Sequence, residues 1–169
     1  MAANWVIEDS MLAPRDKIEI NYKGPNPFAI YKRLDSSFFQ RTFEVGSTDT
    51  WEREFRWTEG NDPHPFFIRI FVRRKFDANT IGYFEILMQG NQPSDPSKNG
   101  DVRISLGGNL RTQFELDSAF RQTAIFRGLV WLYFKTYYSG VRRGYLKICQ
   151  EKINLLNKLI REWTGLPEG

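Results

Sequence analysis

Tyr138-Ser139-Gly140-Val141-Arg142-Arg143-Gly144-Tyr145-Leu146-Lys147-Ile148-Cys149-Gln150-Glu151-Lys152-Ile153-Asn154-Leu155-Leu156-Asn157-Lys158-Leu159-Ile160-Arg161-Glu162-Trp163 is the stretch that decides the fold. Tyr138, Val141, Tyr145, Ile148, Leu155, Leu159 and Trp163 recur at steps of three and four, with one step of seven across Lys152. That spacing is the mark of an amphipathic helix. Leu146, Cys149, Ile153, Leu156 and Ile160 widen the stripe into a broad apolar face, and Phe134 extends it backwards. Asp117-Ser118 offers a helix start, and no proline follows before Pro167. One unbroken helix from Arg121 to Trp163 would be ~65 Å long at the α-helical rise. A compact domain of this size is only ~40 Å across. The spacing therefore predicts a break near Gly128 or Gly140-Gly144, with the second half docked on the rest of the molecule.

Working outward, the preceding chain reads as strands. Lys17-Ile18-Glu19-Ile20-Asn21-Tyr22 alternates polar with apolar, and Gly24-Pro25 stops it. Asn26-Pro27 suits a helix entry, and Phe28, Tyr31, Leu34 and Phe38 make one helical stripe to about Phe43. From residue 49 the period changes to two. Runs at Trp51–Trp57, Phe66–Val72, Ile81–Met88, Val102–Leu106 and Leu110–Leu116 are separated by short polar clusters, the pattern of an antiparallel meander. Gly107-Gly108-Asn109 reads as a hairpin turn between the last two runs, and Gly90–Gly100 as a long mobile connection. The class is α+β, about six or seven antiparallel strands wrapped around a long C-terminal helix. Residues 1–14 read as an N-terminal arm, 15–164 as one domain and 165–169 as a tail.

Composition narrows the chemistry. The chain has 169 residues, 41% of them hydrophobic and 15% aromatic, enough for a sizeable core. One cysteine, Cys149, excludes an internal disulfide and any Cys-based zinc cluster, and it fits a reducing, cytoplasmic compartment. One histidine, His64, excludes multi-His metal sites. No metal or organic cofactor is expected. The longest apolar run, Leu129–Phe134, is far short of the ~20 residues a membrane span needs. The net charge of +4 hides an asymmetry: residues 119–163 carry nine basic and two acidic groups, the preceding 118 residues 15 and 17. Such a bias marks either the solvated face of a core helix or a surface for RNA, an anionic membrane or an acidic protein.

The order strand, helix, meander, long C-terminal helix resembles the helix-grip proteins of the START-like (SRPBCC) superfamily. The residues that carry it are Ile18–Pro27, leading a strand straight into a helix, and the closing stripe from Tyr138 to Trp163. The resemblance covers about residues 15–164 and rests on element order. It departs from the family in two respects: the family usually has a seventh strand, here supplied by Trp5-Val6-Ile7 or by residues 120–126, and two short helices where this chain shows one segment. It implies a hydrophobic cavity between sheet and last helix that binds a lipid-like or aromatic small molecule.

The candidates for that ligand are Trp51, Arg53, Phe55, Trp57, Tyr83, Glu85, Phe114, Tyr138 and Tyr145. If the 49–58 face lines a cavity, Arg53 could anchor a polar head group among the aromatics. Otherwise it reaches solvent or pairs with Glu85. Tyr83, Glu85 and Leu87 share one face. A carboxylate sealed in an apolar cavity could serve as a general base, with Tyr83 donating a hydrogen bond and Arg53 holding negative charge. A Glu85 paired on the outer face would leave that chemistry without residues. His64, between Pro63 and Pro65, reads as a solvent-facing turn, and Cys149 as a buried thiol. The alternative function is a module binding an acidic protein or an RNA particle through Arg142, Arg143 and Lys147.

Overall fold

The computed structural model describes residues 3–116 and 118–167, with Ala3 described by its backbone alone. Its elements are β1 (Ala3–Ser10), β2 (Lys17–Pro25), α1 (Ala29–Arg33), α2 (Ser36–Phe43), β3 (Thr50–Trp57), β4 (His64–Lys75), β5 (Thr80–Gln92), β6 (Asn99–Leu116), α3 (Ala124–Tyr133) and α4 (Ser139–Thr164). A π-helical turn, Phe134–Tyr138, joins the last two helices. All six strands form one antiparallel sheet. The chain is thus α+β, with the long C-terminal helix laid on one sheet face, as the periodicities predict.

Four differences from the sequence reading have physical causes. Gly107-Gly108 is no turn, because β6 runs straight through it. Along one edge β6 pairs with β2 over residues 99–107 and with β1 over 109–116. The glycines sit where one partner strand gives way to the other. A Cβ on Gly108 would lie 2.3 Å from the Tyr83 carbonyl oxygen and 2.9 Å from the Met11 sulfur, so only glycine admits that approach. The expected N-terminal arm is therefore mostly strand, and Trp5-Val6-Ile7 belongs to the sheet. The expected long connection at 90–100 shrinks likewise, since β5 reaches Gln92 and β6 begins at Asn99. The single helical segment at 28–43 is two helices. Asp35 interrupts it by adopting extended backbone and accepting a hydrogen bond from the Phe38 N–H at 2.7 Å.

The core lies between the sheet and the pair α2 and α4. Ile68, Ile70 and Val72 of β4, Phe84, Ile86 and Met88 of β5, and Ile104 and Leu106 of β6 alternate inward. Phe39 and Phe43, one turn apart on α2, join them, and Phe43 meets Phe84 edge-on at 4.8 Å. From α4 the buried row is Cys149, Ile153, Leu156 and Ile160. The helix is therefore rotated from the stripe first traced: the widening row makes the centre of the contact, and Leu155 is 41% exposed.

The break in the C-terminal helix falls between the two expected sites, at the π turn. Tyr138 is buried there, and its hydroxyl donates to Asp77 Oδ2 (2.6 Å) and lies 2.5 Å from Thr80 Oγ1. The added backbone residue of a π turn lets the helix change its facing without losing hydrogen bonds. The helix start expected at Asp117-Ser118 falls partly outside the described residues. The described helix begins at Ala124, with the Thr123 hydroxyl accepting from the Phe126 N–H. No described helix is long and apolar enough to cross a membrane.

Candidate functional site

The nine residues expected to line one cavity are dispersed to three places. A β-bulge explains the first division. Between Glu52 and Glu54 the register of β3 against β4 shifts, leaving Arg53 as the extra residue. A bulge reverses the inside–outside alternation that follows it. Trp51 and Arg53 accordingly face outward, where Trp51 stacks on Phe71 at 5.9 Å and the Arg53 guanidinium lies 5.6 Å from the same ring. Phe55 and Trp57 turn to the other face and meet Phe28, at 6.4 and 5.0 Å. The four do not share a face.

Tyr83 and Glu85 are on the outer face with Trp51 and Arg53, and these side chains line a shallow open depression of about 340 Å³. Glu85 is occupied there. Arg69 Nε donates to its Oε1 at 2.5 Å, and Lys17 Nζ lies 3.6 Å from its Oε2. The structure thus brings Arg53, Tyr83 and Glu85 together, but on a solvent-facing surface with the carboxylate doubly ion-paired. Glu85 is thus paired on the outer face rather than sealed in an apolar cavity.

Near α1, Tyr31 donates a hydrogen bond to Glu52 Oε2 at 2.5 Å. Burial first, and that carboxylate second, push its phenol up to about 12. His64 opens β4 rather than capping a free turn, stacks on Trp57 at 5.3 Å, and places Nε2 3.0 Å from Ser94 Oγ. Cys149 is 0% exposed, and burial pushes its thiol up to about 12.

Phe114, Tyr138 and Tyr145 gather at the opposite end, around the helix junction. Phe114 stacks on Trp5 (5.6 Å) and meets Tyr138 edge-on (5.7 Å), while Tyr145 stacks on Phe76 (4.6 Å). Arg142 is also here, and it corrects the partner-binding expectation. It is 5% exposed. Its Nε donates to Thr112 Oγ1 (3.0 Å), one terminal nitrogen to the Leu110 carbonyl (3.0 Å), and the other to the Asp9 carboxylate. A guanidinium committed to β1 and β6 ties α4 to the sheet and is closed to a partner. Arg143 and Lys147 remain exposed.

The region that sequence reasoning passed over is α3. Its residues Ala-Ile-Phe-Arg-Gly-Leu-Val-Trp-Leu-Tyr are mostly apolar, yet none is buried. Phe126, Val130 and Phe134, at steps of four, turn toward the sheet and are half-buried. On either side of this row the helix stands off the sheet. One open cleft of about 560 Å³ is lined by Trp5, Leu116, Gly128, Val130 and Trp131, with Asn4 and Arg127 as its polar groups. A second, of about 570 Å³, lies toward β5 and is lined by Ala78, Ile81, Phe114, Phe126 and Val130 among others. Val130 is a wall of both. The signal was in the sequence: apolar residues at 125, 126, 129, 130, 131, 132 and 133 exceed any single helical face.

No family model matches this chain, and no curated protein matches it significantly. Among solved structures, "Structure of Protein of Unknown Function SA2116 from Staphylococcus aureus" is 9% identical over 94% of this chain and 93% of that one. Its TM-score is 0.28, a likeness too low to carry an argument about fold or function.

Proposed function

We propose that this protein, a helix-grip domain of START-like type working in a reducing compartment, binds one hydrophobic, lipid-like molecule. Its site is the cleft between α3 and the β1–β6 end of the sheet. The observation that carries the reading is that cleft of about 560 Å³, walled by Trp5, Leu116, Val130 and Trp131. Its size and mainly apolar wall, with a few polar groups, match what a small-molecule site requires. Arg127 at the wall gives it one cation, suited to a carboxylate or similar head group, while the aromatic and aliphatic walls take an acyl chain. The sheet-facing row Cys149–Ile153–Leu156–Ile160 is packed into the core, which argues for this end of the molecule over the space beneath α4.

The test is titration with the fluorescent fatty acid cis-parinaric acid. The wild-type chain is expected to bind it saturably, with quenching of tryptophan emission by energy transfer from Trp5 and Trp131. Val130→Trp fills both clefts from their shared wall and should weaken binding at least tenfold at unchanged melting temperature. Undiminished binding by that variant would refute the site.

A further inference from the structure

We propose that α3 and the π turn form an interfacial docking element for an anionic bilayer surface. The proposal does not rest on the ligand reading. Opposite the half-buried row Phe126–Val130–Phe134, α3 turns an apolar row to solvent: Ile125 (77% exposed), Leu129 (58%) and Leu132 (50%). Tyr133 and Tyr137 continue it across the π turn, and Trp131 flanks it at 52% exposure. A soluble helix puts such residues inward, and an exposed apolar patch this continuous marks a surface that is covered in use.

Charge decides the occupant. From Ser118 to Gln150 there is no acidic residue and there are six basic ones, including the exposed Arg127, Lys135, Arg143 and Lys147. Lys135 Nζ sits 4.8 Å from the Trp131 ring, so cation and indole occupy the same level on the helix. Aliphatic residues flanked by Trp, Tyr, Lys and Arg are the composition of a helix lying in the plane of a membrane, apolar row in the acyl boundary and cations at the head groups. A second copy of this chain would bring two like-charged segments together. An RNA strand would stack on aromatic rings, but Ile125, Leu129 and Leu132 have no π face to offer a base. An anionic bilayer satisfies both the apolar row and the charge.

The test uses the full chain and two vesicle populations, phosphatidylcholine alone and phosphatidylcholine mixed with phosphatidylglycerol. The protein is expected to co-sediment with the anionic vesicles, with a blue-shifted tryptophan emission, and to release as salt is raised. Ile125→Asp with Leu129→Asp should abolish binding while leaving the melting temperature in place. Lys135→Gln and Arg143→Gln, which leave Ile125, Leu129 and Leu132 intact, should each weaken it about fivefold. Val130→Trp should bind vesicles as wild type does, so loss of fatty-acid binding and loss of docking are separable. Equal binding to both vesicle types, no binding to either, or wild-type binding by the double Asp variant would overturn the proposal. So would tighter binding to a single-stranded RNA oligonucleotide than to vesicles. A solution dimer dissociated by the double Asp variant would reassign the face to a second copy and overturn it likewise.

Discussion

The two halves of the C-terminal helix make opposite use of apolar side chains. In α4 four residues at helical spacing, Cys149, Ile153, Leu156 and Ile160, are buried at 0–2% exposure, and Tyr145, Leu146 and Trp163 pack beside them against the core. In α3 the apolar fraction is far higher and nothing is buried. The difference teaches that periodicity, more than apolar content, reports docking onto a sheet: one stripe finds one sheet face. A helix apolar on every side has more such surface than the sheet can cover, and the excess is directed at something outside the chain. The boundary between the two regimes is the π turn, held by Tyr138 on Asp77 and Thr80 and followed at once by the Arg142 tether.

The comparison is broken most severely from the α4 side. Ile153→Ala removes a fully buried side chain and should cost about 2–5 kcal/mol in urea unfolding, with Leu156→Ala in the same range. Leu129→Ala, the matching truncation on α3, should stay within about 0.5 kcal/mol, as surface substitutions do. Equal losses would erase the distinction between the halves. The next effect is at the tether. Removing one partner of a buried pair costs about 3–5 kcal/mol, but Asp9 is half exposed and can rehydrate, so Arg142→Met should cost about 2–3 kcal/mol by the same measurement. A neutral result would mean that α4 is held by its apolar row alone.

The π turn offers a smaller, pH-dependent test. Burial, then the Asp77 carboxylate, hold the Tyr138 phenol well above its ordinary value in the folded state. Its stabilisation is thus complete below the unfolded tyrosine value of about 10 and is lost as pH rises beyond it. Tyr138→Phe should cost about 1–2 kcal/mol at neutral pH, and its stability should fall less steeply above pH 10 than that of the wild type. Parallel alkaline curves for the two proteins would contradict the assignment. The smallest effect is a rate. Cys149, buried and held protonated at neutral pH, should react with iodoacetamide only as fast as the protein opens globally.

Much of the architecture was legible because its signals are local. Alternation in 66–72 and 81–88, and the three–four spacing of 145–163, depend only on which faces are buried. Where the reading failed, the deciding contact was distant. Gly107-Gly108 looks like a turn to anyone who cannot see that β2 and β1 share one long partner strand. The Arg53 bulge is invisible in a run that alternates without interruption, and it separated Trp51 and Arg53 from Phe55 and Trp57. Arg142 and Arg143 are adjacent and chemically identical, yet one is a buried tether and the other is exposed, because only position 142 faces Thr112 and Asp9. The basic excess of residues 119–163 fits a solvated helix face as well as a partner surface, and the sequence does not choose between them. The apolar excess of α3 beside it went unweighed because an apolar helix is ordinarily taken for core.

The central claim, that α4 is core while α3 is surface awaiting a bilayer, is tested most directly by hydrogen–deuterium exchange on the full chain with and without phosphatidylglycerol-containing vesicles. The amides of residues 149–160 should exchange slowly in both conditions, at the rate of global opening. Those of 124–133 should exchange orders of magnitude faster in free protein and slow selectively when anionic vesicles are added. Protection of 124–133 equal to that of 149–160 in the free protein, or no change on adding vesicles, would contradict the account.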